Sequence, residues 1–165
     1  MKKIIFITAA IILVSGISGG VYWFVTRDIR AVKSLLDEAA GIIRKKPSKL
    51  PHAGVLKFSK VDDVFAHKVV IRCGYPAFNA VFTNEDLKMI VSTVNRRITR
   101  MEVNLAAIEV EISGKDANFS FDAEFSGSTG AKGDEFDRVY QVSGKAEKSD
   151  GKWKISALTA ESIVK

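Results

Sequence analysis

The chain has 165 residues, of which 27% are charged, with a formal net charge of +6 and a single cysteine. One cysteine excludes an internal disulfide framework, and this length suits one compact domain with a single core. Because the positive charge does not coincide with a recognisable nucleic-acid-binding module, we predict no nucleic-acid partner.

The N-terminus holds an almost unbroken apolar run, residues 4–25, that carries no charge. A run of this length can cross a bilayer as a helix. Tyr22, Trp23 and Arg27 lie at its end, where the membrane–water interface favours aromatic and basic side chains. We predict a transmembrane anchor over residues 1–26 that binds the lipid bilayer. A cleaved signal peptide is the alternative, because small residues interrupt the run.

Basic residues stand on both sides of this run, so the positive-inside rule alone would allow either orientation. The signal-like shape of the N-terminus favours export. We therefore predict a single-pass protein of the inner (cytoplasmic) membrane, whose domain, residues 27–165, lies in the periplasm or outside the cell.

Two later segments have the periodicity of amphipathic helices. Apolar residues recur at steps of three and four over residues 28–46, and Pro47 ends the pattern. Thr83, with Asp86 three residues further on, forms a variant of the capping box before a second apolar face over residues 87–98.

The stretch between these helices, residues 47–82, has the least regular pattern. It predicts short strands over residues 55–58 and 69–71, with a helical turn over residues 61–67 between them.

The C-terminal part has the alternation of strands. Apolar positions are odd-numbered up to Leu105 and even-numbered from Ile108, so we predict a β-bulge at Ala106 and Ala107. Three more alternating segments follow, over residues 119–125, 136–146 and 153–157. The pattern predicts an α+β fold in which helices pack on a curved antiparallel sheet of four strands or more.

The closing stretch, residues 139–155, ends in Asp150-Gly151-Lys152-Trp153-Lys154-Ile155. It resembles the end of the nuclear transport factor 2-like (cystatin-like cone) superfamily, and the resemblance extends over roughly residues 28–165. It implies a bent sheet that wraps around a long helix and encloses a conical cavity. The layout is similar to that of inner-membrane scaffold subunits of type IV secretion machines, which implies a protein partner in the envelope.

Alternation places Tyr140 on the apolar face of its strand, and we predict a ligand cavity lined by Tyr140, Phe121 and Trp153. Asp122 and Glu124 fall on the opposite face of theirs. With no carboxylate on an inward position, we predict no catalytic residue. The chain is then predicted to be an interaction or ligand-binding domain and not an enzyme. A homo-oligomer is a further predicted partner arrangement. The alternative is a cavity enzyme of the ketosteroid isomerase/dehydratase kind with Tyr140 as hydrogen-bond donor.

Candidate metal ligands are few. His52 and His67 stand apart, without the spacing or the carboxylate partners of a metal site. Cys73, next to Arg72, is interpreted as a buried inert thiol. The glycine-rich loop 127–133 lacks the lysine–serine pair of a phosphate-binding loop. We predict neither a metal nor a cofactor.

Overall fold

The computed structural model describes residues 25–45, 55–74, 77–129 and 134–163. In this part of the chain there are three helices: α1 (residues 25–43), α2 (Val55–Val64) and α3 (Asn84–Arg97). The strands are β1 (Phe65–Cys73), β2 (Phe78–Thr83), β3 (Ile98–Ser113), β4 (Asp116–Thr129), β5 (Asp134–Ser149) and β6 (Lys152–Ser162).

The six strands form one open sheet in the order β2-β1-β6-β5-β4-β3. β3, β4, β5 and β6 follow one another as antiparallel neighbours, so this part is a meander. β1 pairs antiparallel with β2 but parallel with β6. The sheet is therefore mixed, and β2 and β3 are its two edges.

Two glycines that face aromatic rings help the sheet to curve. Gly144 lies opposite Phe119, and Gly127 lies opposite Phe136. A Cβ atom at Gly144 would approach Cζ of Phe119 to 2.5 Å and would overlap the carbonyl oxygen of Ala157. The rings thus occupy the space that a side chain would need, as aromatic residues do over glycines in strongly bent sheets.

A bulge adds to the bend in β3. Ala107 has a φ of 51°, and the pairing of β3 with β4 shifts register between Ala106 and Glu109. The extra residue moves all later side chains of β3 to the opposite face of the sheet. This is why the apolar residues change from odd-numbered to even-numbered positions along the sequence.

Helix α1 fills the concave side of the sheet. Its face of Val32, Leu36 and Ile42 is at most 2% exposed. These residues share one core cluster with Phe119 and Ile155 from the sheet. Burial of each large aliphatic side chain contributes about 1.5–3 kcal/mol, so this contact stabilises the packing of α1 on the sheet.

Polar contacts join the C-terminal end of α1 to β3 and α3. The ammonium group of Lys45 donates to the carbonyl oxygens of Asn95 (2.5 Å) and Ile98 (2.6 Å). These carbonyls lie at the end of α3, where backbone acceptors lack helical partners and a cation is favoured. The backbone of Lys45 forms a bridge with Met101 of β3.

The α+β class, the curved sheet, the capping box at Thr83 and the bulge at Ala107 confirm the predictions. The prediction of a purely antiparallel sheet is wrong, because β1 runs parallel to β6. The strand predicted over residues 55–58 is wrong too, because these residues begin helix α2. Among the α2 residues whose burial is described, Val61 and Val64 are the fully buried ones, and a spacing of three over so short a segment carries little periodic signal.

The predicted anchor lies almost wholly outside the described residues, and Tyr22 and Trp23 lie outside them as well. Arg27 is described and is exposed near the start of α1. None of the described helices combines the length and the hydropathy needed to cross a bilayer.

Candidate functional site

Tyr140 lies on the concave face of the sheet. Its cross-strand neighbours are Ala123 on β4 and Ser162 on β6. Its ring meets the ring of Phe125 edge-to-face, at 5.8 Å between centroids and an interplanar angle of 82°. Such pairs add about 0.5–1.5 kcal/mol beyond burial and fix the orientation of the ring. The half-buried Tyr140 hydroxyl has no hydrogen-bond partner among the described residues.

Polar side chains stand beside this tyrosine on the same face. Arg138 lies opposite Phe125 in the register, and Ser162 lies opposite Tyr140. Because side chains alternate along a strand, Arg138, Tyr140 and Ser162 all belong to the concave face. We call Phe125, Arg138, Tyr140 and Ser162 the Tyr140 cluster.

Apolar side chains form the floor next to the Tyr140 cluster. Ala40, Met101 and Val103 are buried there, and Phe125 and Phe136 pack against them. An apolar floor with a few convergent polar groups is the usual composition of a small-molecule site. The concave face thus offers an apolar floor with the Tyr140 hydroxyl and the exposed Arg138 side chain beside it, and the guanidinium of Arg138 donates to the carbonyl oxygen of Asp137 at 3.1 Å.

A cleft of 350 Å³ opens close to this floor, where β4 and β5 approach their loop. Its lining includes Phe136 and three charged residues, Arg100, Glu135 and Asp137. Arg100 forms an ion pair with Glu102 at 3.2 Å. Alternation along β5 places Glu135 and Asp137 on the convex face, so the cleft lies at the same end of the sheet as the Tyr140 cluster but adds no carboxylate to the concave face.

The three residues predicted to line one cavity do not meet at one place. Trp153 lies opposite Lys148, eight residues along β5 from Tyr140, which corresponds to roughly 26 Å in an extended strand. Phe121 lies between them and stacks on Phe119, with ring centroids 6.0 Å apart. Of the three residues, Tyr140 alone combines a polar group with partial exposure on the concave face.

Sequence reasoning missed a charged group on the inner side of α1. The carboxylate of Asp28 accepts hydrogen bonds from the Lys148 ammonium group at 2.7 and 2.9 Å and from Nε1 of Trp153 at 3.3 Å. Lys148 also lies 5.4 Å from the centroid of the Trp153 ring. We call Asp28, Lys148 and Trp153 the Asp28 network.

The Asp28 network is structural in character. The hydrogen bond from Lys148, helped by the indole of Trp153 and opposed by desolvation, holds the pKa of the Asp28 carboxyl below its ordinary value. A carboxylate with a lowered pKa is a weak proton acceptor, so the network fits a fixed ion pair better than a catalytic base. The signal was present in the sequence, because Asp28 precedes Val32 by four residues and continues the buried stripe of α1.

The remaining candidates stay apart in the structure. His67 is exposed on β1, Cys73 is half-buried at the end of that strand, and His52 lies outside the described residues. In the described ranges no group of three or more histidine, cysteine, aspartate or glutamate side chains is arranged to hold a metal ion.

Comparison with known proteins gives structural matches only. No family model matches the chain, and no curated protein matches it. The Kfla4162 protein from Kribbella flavida is similar with a TM-score of 0.73 and 12% identity, over 84% of this chain and 93% of that chain.

Two further structures carry the names of enzymes. A hexachlorocyclohexane dehydrochlorinase from Novosphingobium barchaimii matches with a TM-score of 0.66 and 13% identity, over 84% of this chain and 88% of its own. A proposed dehydratase of the nuclear transport factor 2-like family from Streptomyces avermitilis matches with a TM-score of 0.64 and 11% identity, over 86% of this chain and 99% of its own.

These matches correct two predictions. The prediction of a scaffold or interaction domain without catalytic activity is contradicted, because the similar structures include a dehydrochlorinase and proposed dehydratases. The prediction of a single-pass inner-membrane protein with an exported domain is contradicted as well. No described helix is suited to crossing a bilayer, and the matches cover 93% and 99% of the solved Kribbella flavida and Streptomyces avermitilis chains.

These matches cover 84–86% of this chain. At 10–15% identity they establish the fold and leave the reaction open. The described part of this chain has the fold of the nuclear transport factor 2-like superfamily.

Proposed function

We propose that this protein is an enzyme that acts on a small organic molecule by elimination or isomerisation, with Tyr140 as the hydrogen-bond donor. The observation that carries the proposal is the Tyr140 hydroxyl, which lies on the concave face without a described partner. The named activities of the structural neighbours support this reaction class, since dehydration and dehydrochlorination are both eliminations.

Loss of water from a β-hydroxy ketone illustrates the chemistry. A base removes the proton next to the carbonyl, and the electron pair forms an enolate. The bond from carbon to the hydroxyl group then breaks, hydroxide leaves and takes up a proton, and an enone remains. The negative charge on the enolate oxygen is the feature that an enzyme must stabilise.

The Tyr140 cluster supplies groups for that task. The Tyr140 hydroxyl donates a hydrogen bond to the developing oxyanion, and the positive charge of Arg138 on the same face favours it further. The apolar floor of Met101 and Val103 excludes water from the hydrocarbon part of the substrate and strengthens both interactions.

The test measures the rate of elimination from 4-hydroxy-4-phenylbutan-2-one and from alicyclic and linear β-hydroxy ketones. The absorbance of the enone product reports the rate. We expect the protein to accelerate the reaction, relative to buffer alone, for at least one of these substrates. Tyr140→Phe should then lower kcat by about 10²–10³, as expected for the loss of one oxyanion donor, with a smaller change in KM.

A matched control is Gln141→Ala, which changes the next residue on β5, exposed on the convex face. It should leave both kinetic constants unchanged. The proposal would be contradicted if the Tyr140→Phe variant kept the full rate acceleration, or if the wild-type protein accelerated the reaction of none of the substrates.

A further inference from the structure

A cluster of exposed apolar side chains lies beside the free edge of β2. Among the described residues, six large hydrophobic side chains are exposed, and four of them belong to β2 or α3. These four are Phe78 (44%), Val81 (61%), Met89 (63%) and Ile90 (41%). Single exposed hydrophobic residues are common on protein surfaces, but a contiguous group points to a partner.

Three of these side chains, Val81, Met89 and Ile90, border a groove of 470 Å³ between β2 and α3, and Phe78 lies outside its lining. Val81 and Phe82 line it from β2, and Met89, Ile90 and Val94 line it from α3. A strand added to the edge of β2 would lie along this groove with the helix beside it. In the described part of the chain the outer backbone groups of β2 have no strand partner, and the groove beside them is mainly apolar, with Asp86 and Thr93 as its polar residues.

The two edges of the sheet differ in their protection. β3 has the bulge at Ala107 and exposed acidic side chains such as Glu109 and Glu111. Bulges and charges are the devices by which proteins prevent pairing at a sheet edge. The sequence of β2, Phe-Asn-Ala-Val-Phe-Thr, has neither a charge nor a proline. β2 is therefore the edge on which pairing is not opposed.

Charges on α3 indicate what pairs there. The first turn of α3 is acidic and the last turn is basic. Glu85, Met89 and Arg96 follow one another at steps of four and seven, so they lie along one stripe of the helix. A two-fold axis that sets two copies of α3 antiparallel places the acidic end of one helix next to the basic end of the other.

We propose that β2 and α3 form a two-fold interface between two copies of this chain. In the dimer the β2 strands pair antiparallel across the axis, and the two six-stranded sheets become one sheet of twelve strands. Val81 and Met89 of each copy cover the groove of the other, and Glu85 of each copy meets Arg96 of the other. A two-fold interface of this kind is self-complementary, as homodimer interfaces are.

Sedimentation equilibrium of the full chain, in a mild non-ionic detergent throughout, tests this inference. We expect a mass of 36.2 kDa, twice the 18.1 kDa of the chain. Val81→Lys, which places a charge on the β2 edge, should give the monomer mass. Circular dichroism and the thermal midpoint show whether each variant is folded.

Charge reversal separates this interface from other modes of association. Glu85→Arg alone and Arg96→Glu alone each create two like-charge contacts and should raise the dissociation constant at least about tenfold. The double variant restores opposite charges across the axis and should return the constant to within about threefold of the original. Glu109→Lys on the β3 edge is the matched control and should leave the mass at 36.2 kDa, twice that of the 18.1-kDa chain.

Two results would overturn the inference. One is a monomeric wild-type chain. The other is a dimer that withstands Val81→Lys and both single charge reversals, because association through the apolar run of residues 4–25 would be insensitive to all three.

Discussion

Asp28 places a charge within the otherwise apolar inner stripe of α1, and its partners explain why the fold tolerates it. The side chain is 19% exposed and that of Lys148 is 28% exposed, so water screens the pair only in part. Three hydrogen bonds reach the carboxylate from Lys148 and Trp153. A charged group that is satisfied in this way stabilises the junction of α1 with the β5–β6 hairpin.

Replacing Asp28 by Asn should lower the free energy of unfolding at pH 7 by about 1.5–3 kcal/mol, the usual contribution of hydrogen bonds to a charged group. The folded pKa of Asp28 lies below the unfolded one. Its contribution is therefore fully present above the unfolded value of about 3.9 and is lost as the pH falls through the lower folded pKa. Urea unfolding at pH 7 and pH 3 measures the difference between wild type and variant.

The matched control for this prediction is Asp37→Asn. Asp37 also lies on α1, but its side chain is 67% exposed and pairs with Arg44 at the surface. Its loss should change stability by less than about 1 kcal/mol at either pH. A gap between wild type and the Asp28 variant that does not shrink at pH 3 would exclude the charge as the source of the effect.

At the scale of elements, the bend of the sheet depends on positions where a side chain is absent. Gly144→Ala places a methyl group against the Phe119 ring and the Ala157 carbonyl, so we expect a loss of about 1–3 kcal/mol. Gly41→Ala adds the same methyl group within α1, where nothing lies within 4 Å, and should stabilise by about 0.5–1 kcal/mol. Urea unfolding of both variants measures the two shifts, and equal shifts would refute a specific role for Gly144.

Local signals in the sequence account for the elements that could be predicted. The parity change near Ala107 and the hydroxyl of Thr83 act within a few residues, and both predictions are confirmed. The parallel pairing of β1 with β6 joins residues that are 87 to 90 positions apart, and nothing in the local sequence of either strand identifies the other as its partner. Among the α2 residues whose burial is described, Val61 and Val64 alone are fully buried, and two positions give little helical periodicity.

The same limit applies to the candidate site. Alternation alone placed Tyr140 on the inner face, and the register agrees. The contact of Asp28 with Lys148 spans 120 residues of sequence. Such a pair becomes visible only once α1 lies across the β5–β6 hairpin, because the place of Asp28 on the apolar stripe of α1 does not identify Lys148 as its partner.

At the scale of the whole molecule, α1 is held at both ends by hydrogen bonds of charged residues with different parts of the fold. Asp28 joins its start to the β5–β6 hairpin, and Lys45, just beyond its end, joins it to α3 and β3. The two residues are separated by roughly 25 Å along the helix, at a rise of about 1.5 Å per residue. Between them lies the buried face that forms the core with the sheet.

If this arrangement unfolds as one cooperative unit, the two end contacts should contribute independently. Lys45→Met keeps most of the aliphatic stem but removes the donor to Asn95 and Ile98, and should cost about 1.5–3 kcal/mol. The double variant with Asp28→Asn should then lose the sum of the two single effects within about 0.5 kcal/mol, with an unchanged urea m-value. Lys33→Met, at an exposed position of α1, is the control and should change little. A reduced m-value or a clear departure from additivity would mean that α1 detaches from one end before the sheet unfolds.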